Sequence, residues 1–126
     1  MANTLPKSFH CSREFTLAVL GGKWKTVILC YLTQRPCRYS ELRRLMPMVS
    51  DKVLTERLRD LLSAGLISHR QGGRGASPGT YSLAAKGRSL SKVLHLLYQW
   101  GHENAAKFHV EVGEPLHGFG RDKPRP

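Results

Sequence analysis

Four side chains between Lys52 and Arg59 have the types and spacing needed to read nucleic-acid bases. On a helix, Lys52, Thr55, Glu56 and Arg59 fall on one face, and Ser63 extends it by a further turn. Arg and Lys reach guanine acceptors in a major groove, Thr offers a methyl to thymine, and Glu accepts from cytosine. The opposite face holds Leu54, Leu58, Leu61 and Leu62, an apolar stripe that must turn towards a core. Arg43 and Arg44 lie on the preceding short segment, placed for phosphates where that segment crosses a nucleic-acid backbone. Arg38 and Ser40 at its start, and Ser50 and Asp51 at the start of the reading helix, complete the candidate contacts on this stretch. His69, Arg70 and Arg74 follow, the last in a glycine-rich loop able to enter a minor groove. A polar helix face with a few cations is also what any solvated helix presents, so the surroundings decide between the two.

Other reactive residue types yield less. Cys11 falls at the start of a helix, where the dipole favours an anion and Arg13 is close, although Glu14 opposes it. Cys30 sits in an apolar helix and reads as core, and Cys37 has no evident role. Three cysteines without a CxxC pair argue against a disulfide scaffold or an all-cysteine zinc site. His95, His102 and His109 recur every seven residues, whereas a metal on a helix needs ligands three or four apart, so no metal is expected. Gly21-Gly22-Lys23 and Gly72–Gly79 lack a phosphate-loop pattern, and no Ser/His/Asp set or carboxylate pair is spaced for catalysis. Neither an enzyme nor a cofactor is expected.

The elements that would position these residues follow from caps and breakers. Residues 1–10 read as an arm, and a first helix runs from Ser12 to Leu20 up to Gly21-Gly22. A second helix from Lys23 to Thr33 carries Trp24, Val27, Ile28 and Tyr31 on one face and ends before Pro36. Residues 37–39 could form a short strand. Ser40 would cap a brief helix, Glu41 to Met46, stopped by Pro47. Ser50 caps the reading helix, Asp51 to Ala64, which Gly65-Leu66 would end in a Schellman turn. Leu66–Arg70 and Thr80–Leu83 flank a glycine- and proline-rich loop and read as a long-looped hairpin. A last helix, Ala85 to Phe108, precedes a frayed tail at 110–126. Its stripe Leu90, Val93, Leu94, Leu97 and Trp100 exceeds what a small domain needs to cover, so part of it, with Phe15, is expected to bury against a second copy.

Composition sets the class. The chain has 126 residues, 40% hydrophobic and 23% charged, which suits one globular domain. No apolar run approaches a membrane span and the N-terminus lacks a signal peptide's apolar stretch, so a cytoplasmic protein is expected. Twenty Lys and Arg against nine acids give +11, spread along the chain rather than held in one tail. That sign points to polyanions, nucleic acid first.

Helix, short helix, sharp turn, helix and hairpin is the order of a winged helix-turn-helix: mainly α with a small β-hairpin, flanked by N- and C-terminal dimerisation helices. Leu20-Gly21-Gly22-Lys23-Trp24-Lys25 with Ile28-Leu29 resembles the opening of the HxlR family of bacterial transcription regulators, relatives of the MarR type. Arg38-Tyr39-Ser40-Glu41-Leu42, the run Ser50 to Leu61, Gly65-Leu66-Ile67, Tyr81-Ser82-Leu83, Gly87-Arg88-Ser89-Leu90 and Trp100-Gly101 continue the resemblance in order, over roughly residues 11–104. It implies a homodimer on a near-palindromic double-stranded DNA operator, often responding to a reactive compound. In redox-responding members the N-terminal Cys is the sensor, a role the resemblance extends to Cys11. Here Ser12 follows it where the family usually has Pro, and Ala84 stands where a capping Thr is common. A basic DNA-packaging or RNA-binding protein without operator specificity would explain +11 equally, and a protein-interaction module on the same scaffold is a third reading.

Overall fold

The computed structural model describes residues 5–71 and 79–113. Its elements are α1 (Ser12–Leu20), α2 (Lys25–Gln34), α3 (Tyr39–Leu45), α4 (Asp51–Ser63), β1 (Ile67–Arg70), β2 (Thr80–Leu83), α5 (Ala85–Arg88) and α6 (Ser91–Asn104), with a 3-10 turn at Ala105–Phe108.

Helix α2 is the centre of the core. Ile28 and Leu29 are wholly buried, and Cys30, Tyr31 and Leu32 nearly so. The expected single apolar face is therefore too narrow: a helix surrounded by α4, α6 and β2 needs apolar side chains around most of its circumference. It starts at Lys25 rather than Lys23, because Gly22 (φ 101°) and Trp24 (φ 81°) turn the chain through left-handed conformations first. Leu42 of α3, Leu54, Leu58 and Leu61 of α4, and Leu94 of α6 close around it. Leu62, expected in the same stripe, is 37% exposed.

Several boundaries move for local reasons. Helix α3 begins at Tyr39, not Glu41, so Ser40 lies in its first turn rather than capping it. The Glu41 carboxylate reaches back to accept the Arg38 N–H at 2.8 Å and so starts the helix two residues earlier. The short strand at 37–39 reduces to one antiparallel bridge, Cys37 to Tyr81, with N–H···O distances of 3.0 and 2.7 Å. Helix α4 begins as its sequence requires: Ser50 Oγ accepts the Val53 N–H at 3.1 Å. It ends in the expected Schellman turn, where Leu66 N–H donates to Leu61 O and Gly65 N–H to Leu62 O, both at 3.0 Å, with Gly65 at φ 77°.

The hairpin pairs Ile67 with Leu83, Ser68 with Ser82, His69 with Tyr81 and Arg70 with Thr80. Leu66, expected in the first strand, belongs to the turn before it. Arg74 and the loop Gly72–Pro78 lie outside the described residues, as does most of the expected tail.

The long last helix is broken. Gly87 is pressed against the turn before β1 so closely that an added Cβ would sit 2.1 Å from Leu66 O. Ser89 Oγ then donates to Lys86 O at 2.6 Å and Leu90 N–H bonds Gly87 O, tightening the link before α6 sets off across α2. His109 adopts a left-handed conformation after the 3-10 turn, so the heptad of histidines does not share one helix.

Candidate nucleic-acid interface

The turn between α3 and α4 is built by Arg43. Its guanidinium donates to Met46 O at 3.4 Å and to Val49 O, and its Nε pairs with Asp51 at 3.0 Å. Asp51 also accepts from Tyr39 Oη at 2.5 Å, so one carboxylate ties the start of α3 to the start of α4. Burial, and then this bond to Asp51, raise the pKa of the Tyr39 hydroxyl. Met46 and Val49 plug the turn from within. Farther along, Arg57 Nε donates to Lys23 O at 3.1 Å, fixing α4 to the loop before α2, and its Nη1 pairs with Asp60 Oδ2 at 3.3 Å.

These bonds sort the cations into two groups. Arg43 and Arg57 are half-buried and engaged inside the fold. Arg44, Lys52, Arg59 and Arg70 are exposed, and no ion pair holds any of them among the described residues. The sequence alone gave no sign of this division, since Arg43 and Arg44 are neighbours on a short helix. On α4, Lys52, Thr55 and Arg59 are exposed and Glu56 half-buried, opposite Leu54, Leu58 and Leu61. Arg38, Ser40 and Ser50 are exposed beside them, with the hydroxyl of Ser50 occupied as the cap. On the hairpin, His69 and Arg70 are exposed, and the His69 ring packs on Tyr81 with centroids 4.5 Å apart. Gly79 permits that packing, for a Cβ there would lie 2.7 Å from His69 Nε2.

Away from this surface, Cys11 is the half-exposed N-cap of α1. Its sulfur makes no cap hydrogen bond, but the Glu14 amide, then that of Arg13, lower the pKa of its thiol, against a smaller effect of burial. The Glu14 carboxylate is turned towards His10, whose N–H it accepts at 3.3 Å. Burial pushes Cys30 up to about 12 and raises Cys37 as well. Of the expected partner-facing side chains, Phe15, Leu97 and Trp100 are 47%, 48% and 60% exposed, while Leu90 and Val93 pack partly on the core. Leu94 is the one that stays inside the chain. No single helix among the described residues is long and apolar enough to cross a membrane.

A short helix, a plugged turn, a capped second helix with a polar outer face and a two-stranded wing define a winged helix-turn-helix, the fold of many DNA-binding transcription regulators. The chain belongs to the HxlR-like helix-turn-helix family, whose model matches residues 19–109. It is 45% identical over 95 residues to the HTH-type transcriptional regulator YtcD of Bacillus subtilis (strain 168), covering 75% of each chain. The reduced form of the redox regulator HypR superposes with a TM-score of 0.74 at 30% identity, over 79% of this chain and 98% of that one. A MarR-family regulator from Porphyromonas gingivalis W83 superposes at 0.70 and 28% identity, over 80% and 99%. The protein is thus a transcription regulator with a helix-turn-helix DNA-binding fold, MarR-like in architecture, and its relatives are regulators rather than enzymes.

Proposed function

We propose that the protein regulates transcription as a homodimer on a near-palindromic double-stranded DNA operator. The division of its cations carries the reading: Lys52 and Arg59 on the outer face of α4, with Arg44 and Arg70, have no ion pair among the described residues, while Arg43 and Arg57 are engaged inside the fold. Lys52, Thr55, Glu56 and Arg59 read base edges. Arg38, Ser40, Arg44, His69, Arg70 and Arg74 bind the backbone, and Ser50 and Asp51 hold the start of α4 in place. Arg43 acts through the turn, as a positioning residue.

The exposed Phe15 of α1 and Leu97 and Trp100 of α6, with the half-buried Leu90 and Val93, meet the partner, since large apolar side chains left in water favour burial. A two-fold dimer would centre its half-sites about 10 bp apart or a multiple of that. Cys11, with its lowered thiol pKa, is the point at which an oxidant or electrophile would act, and the likeness to a redox regulator supports that role. Such a protein works in the cytoplasm. Selection of genomic fragments by the purified protein at about 150 mM salt, a level that suppresses purely electrostatic binding, tests the reading. Enrichment of a palindrome with one-turn half-site spacing supports it. Unenriched fragments would favour a packaging or RNA-binding protein, which the +11 charge serves equally well.

A further inference from the structure

The large apolar side chains exposed among the described residues gather on α1, on α6 and in the segment after it, apart from Leu62 near the end of α4 and Met48. Met48 is 55% exposed and stands in the turn between α3 and α4, amid the cations of the reading surface. Val49 N–H donates to Met46 O at 3.1 Å, so residues 46–49 form a β-turn with Pro47 and Met48 at its two central positions. Proline presets the backbone for its place in such a turn. Arg43 braces both ends, donating to Met46 O at 3.4 Å and to Val49 O. Met46 and Val49 are buried, which leaves Met48 exposed at the tip of a turn held from within. Arg44 and Lys52, four residues to either side, are exposed and have no ion pair among the described residues. Ser50, two residues on, is the cap of α4.

A methionine arm in water gains nothing for the free chain, and a thioether has no proton to give a phosphate. On the major-groove edges of the bases, the C5-methyl of thymine is the apolar group that such an arm can cover. The first residues of a recognition helix are the ones that meet base edges, and Met48 precedes Asp51, the first residue of α4, by three positions on a long unbranched side chain. We propose that Met48 packs on the C5-methyl of one thymine in each half-site and so adds a specificity-determining contact to those of α4. The contact rests on the reading of α4 as the helix that enters the groove, and the experiment separates the two.

The operator selected from genomic fragments is remade with deoxyuridine replacing one thymidine at a time, which deletes a methyl and leaves base pairing intact. Binding is titrated with the unaltered chain, Met48→Ala and Met48→Leu. At one thymine in each half-site the unaltered chain should lose about fourfold in affinity, the effect of one buried methyl. Met48→Ala should bind the thymine operator about fourfold or more weakly and lose nothing further at that position, since the methyl no longer has a partner. Met48→Leu, which keeps an apolar arm, should retain the dependence. Met48→Ala that binds the thymine operator as tightly as the unaltered chain, or keeps the methyl dependence at every thymine, overturns the proposal. Absence of any methyl dependence in the unaltered chain overturns it equally. Arg59→Ala on the same duplexes tells the two failures apart: an operator-specific loss there with none in Met48→Ala sinks the contact alone. If neither variant loses specificity, or no operator is selected, the reading of α4 falls and the contact with it.

Discussion

At the start of α1 the amides of Glu14 and Arg13 hold the Cys11 thiol below its ordinary 9.0, whereas burial carries Cys30 to about 12 and raises Cys37. Because the thiolate is the nucleophile, iodoacetamide at about pH 7.5 should modify the native chain once, at Cys11, and faster as pH rises through its lowered pKa. Mass spectrometry of Cys11→Ser should then show an unmodified native chain, and labelling at Cys30 or Cys37 first would contradict this. Glu41 is a second residue set by a backbone amide. The Arg38 N–H, followed by the Arg35 and Arg38 charges, lowers its pKa from the ordinary 4.5. A carboxyl depressed in the folded state stabilises the fold above its unfolded value and loses that contribution as pH falls through the folded one. Glu41→Gln should therefore lower urea stability near neutral pH, with the difference from the parent fading below 4.5.

Between the elements, the glycine at 87 has a larger effect than its helix propensity suggests. A methyl there would meet Leu66 O at 2.1 Å, so Gly87→Ala must move the turn before β1 or α5. It should destabilise by more than Ser50→Ala, for which loss of a helix cap costs about 1 kcal/mol. Urea unfolding of both variants checks the order. The contrast also shows what the sequence makes legible. Helix α4 could be read outright because its cap, leucine stripe and glycine stop are all local signals. The break before α6 could not, since Gly87 is a tertiary contact 21 residues from its partner Leu66. The early start of α3 was hidden because Ser40 is a better cap on paper than Arg38, and only the reach of Glu41 decides between them. At the site, the residue types on α4 were readable. The engagement of Arg43 with the turn was not, because nothing in Arg43-Arg44 says which guanidinium faces inwards.

At the scale of the whole molecule, exposed apolar side chains on α1 and α6 accompany the exposed cations of α3, α4 and β1. Replacing Leu97 and Trp100 together by Asp should yield monomers in sedimentation and remove tight operator binding, while weak, salt-sensitive DNA binding survives. Persistence of the dimer would place the partner face elsewhere. In the proposed function α4 reads sequence while Arg44 only holds the backbone. This division is tested by measuring Arg59→Ala and Arg44→Ala against the selected operator and against random DNA over a range of salt. Arg59→Ala should cost about 1–3 kcal/mol on the operator and much less on random DNA, lowering the specificity ratio. Arg44→Ala should weaken both alike and flatten the salt slope by about one unit. An equal, uniform loss in the two variants would contradict the assignment of α4 as the reading helix.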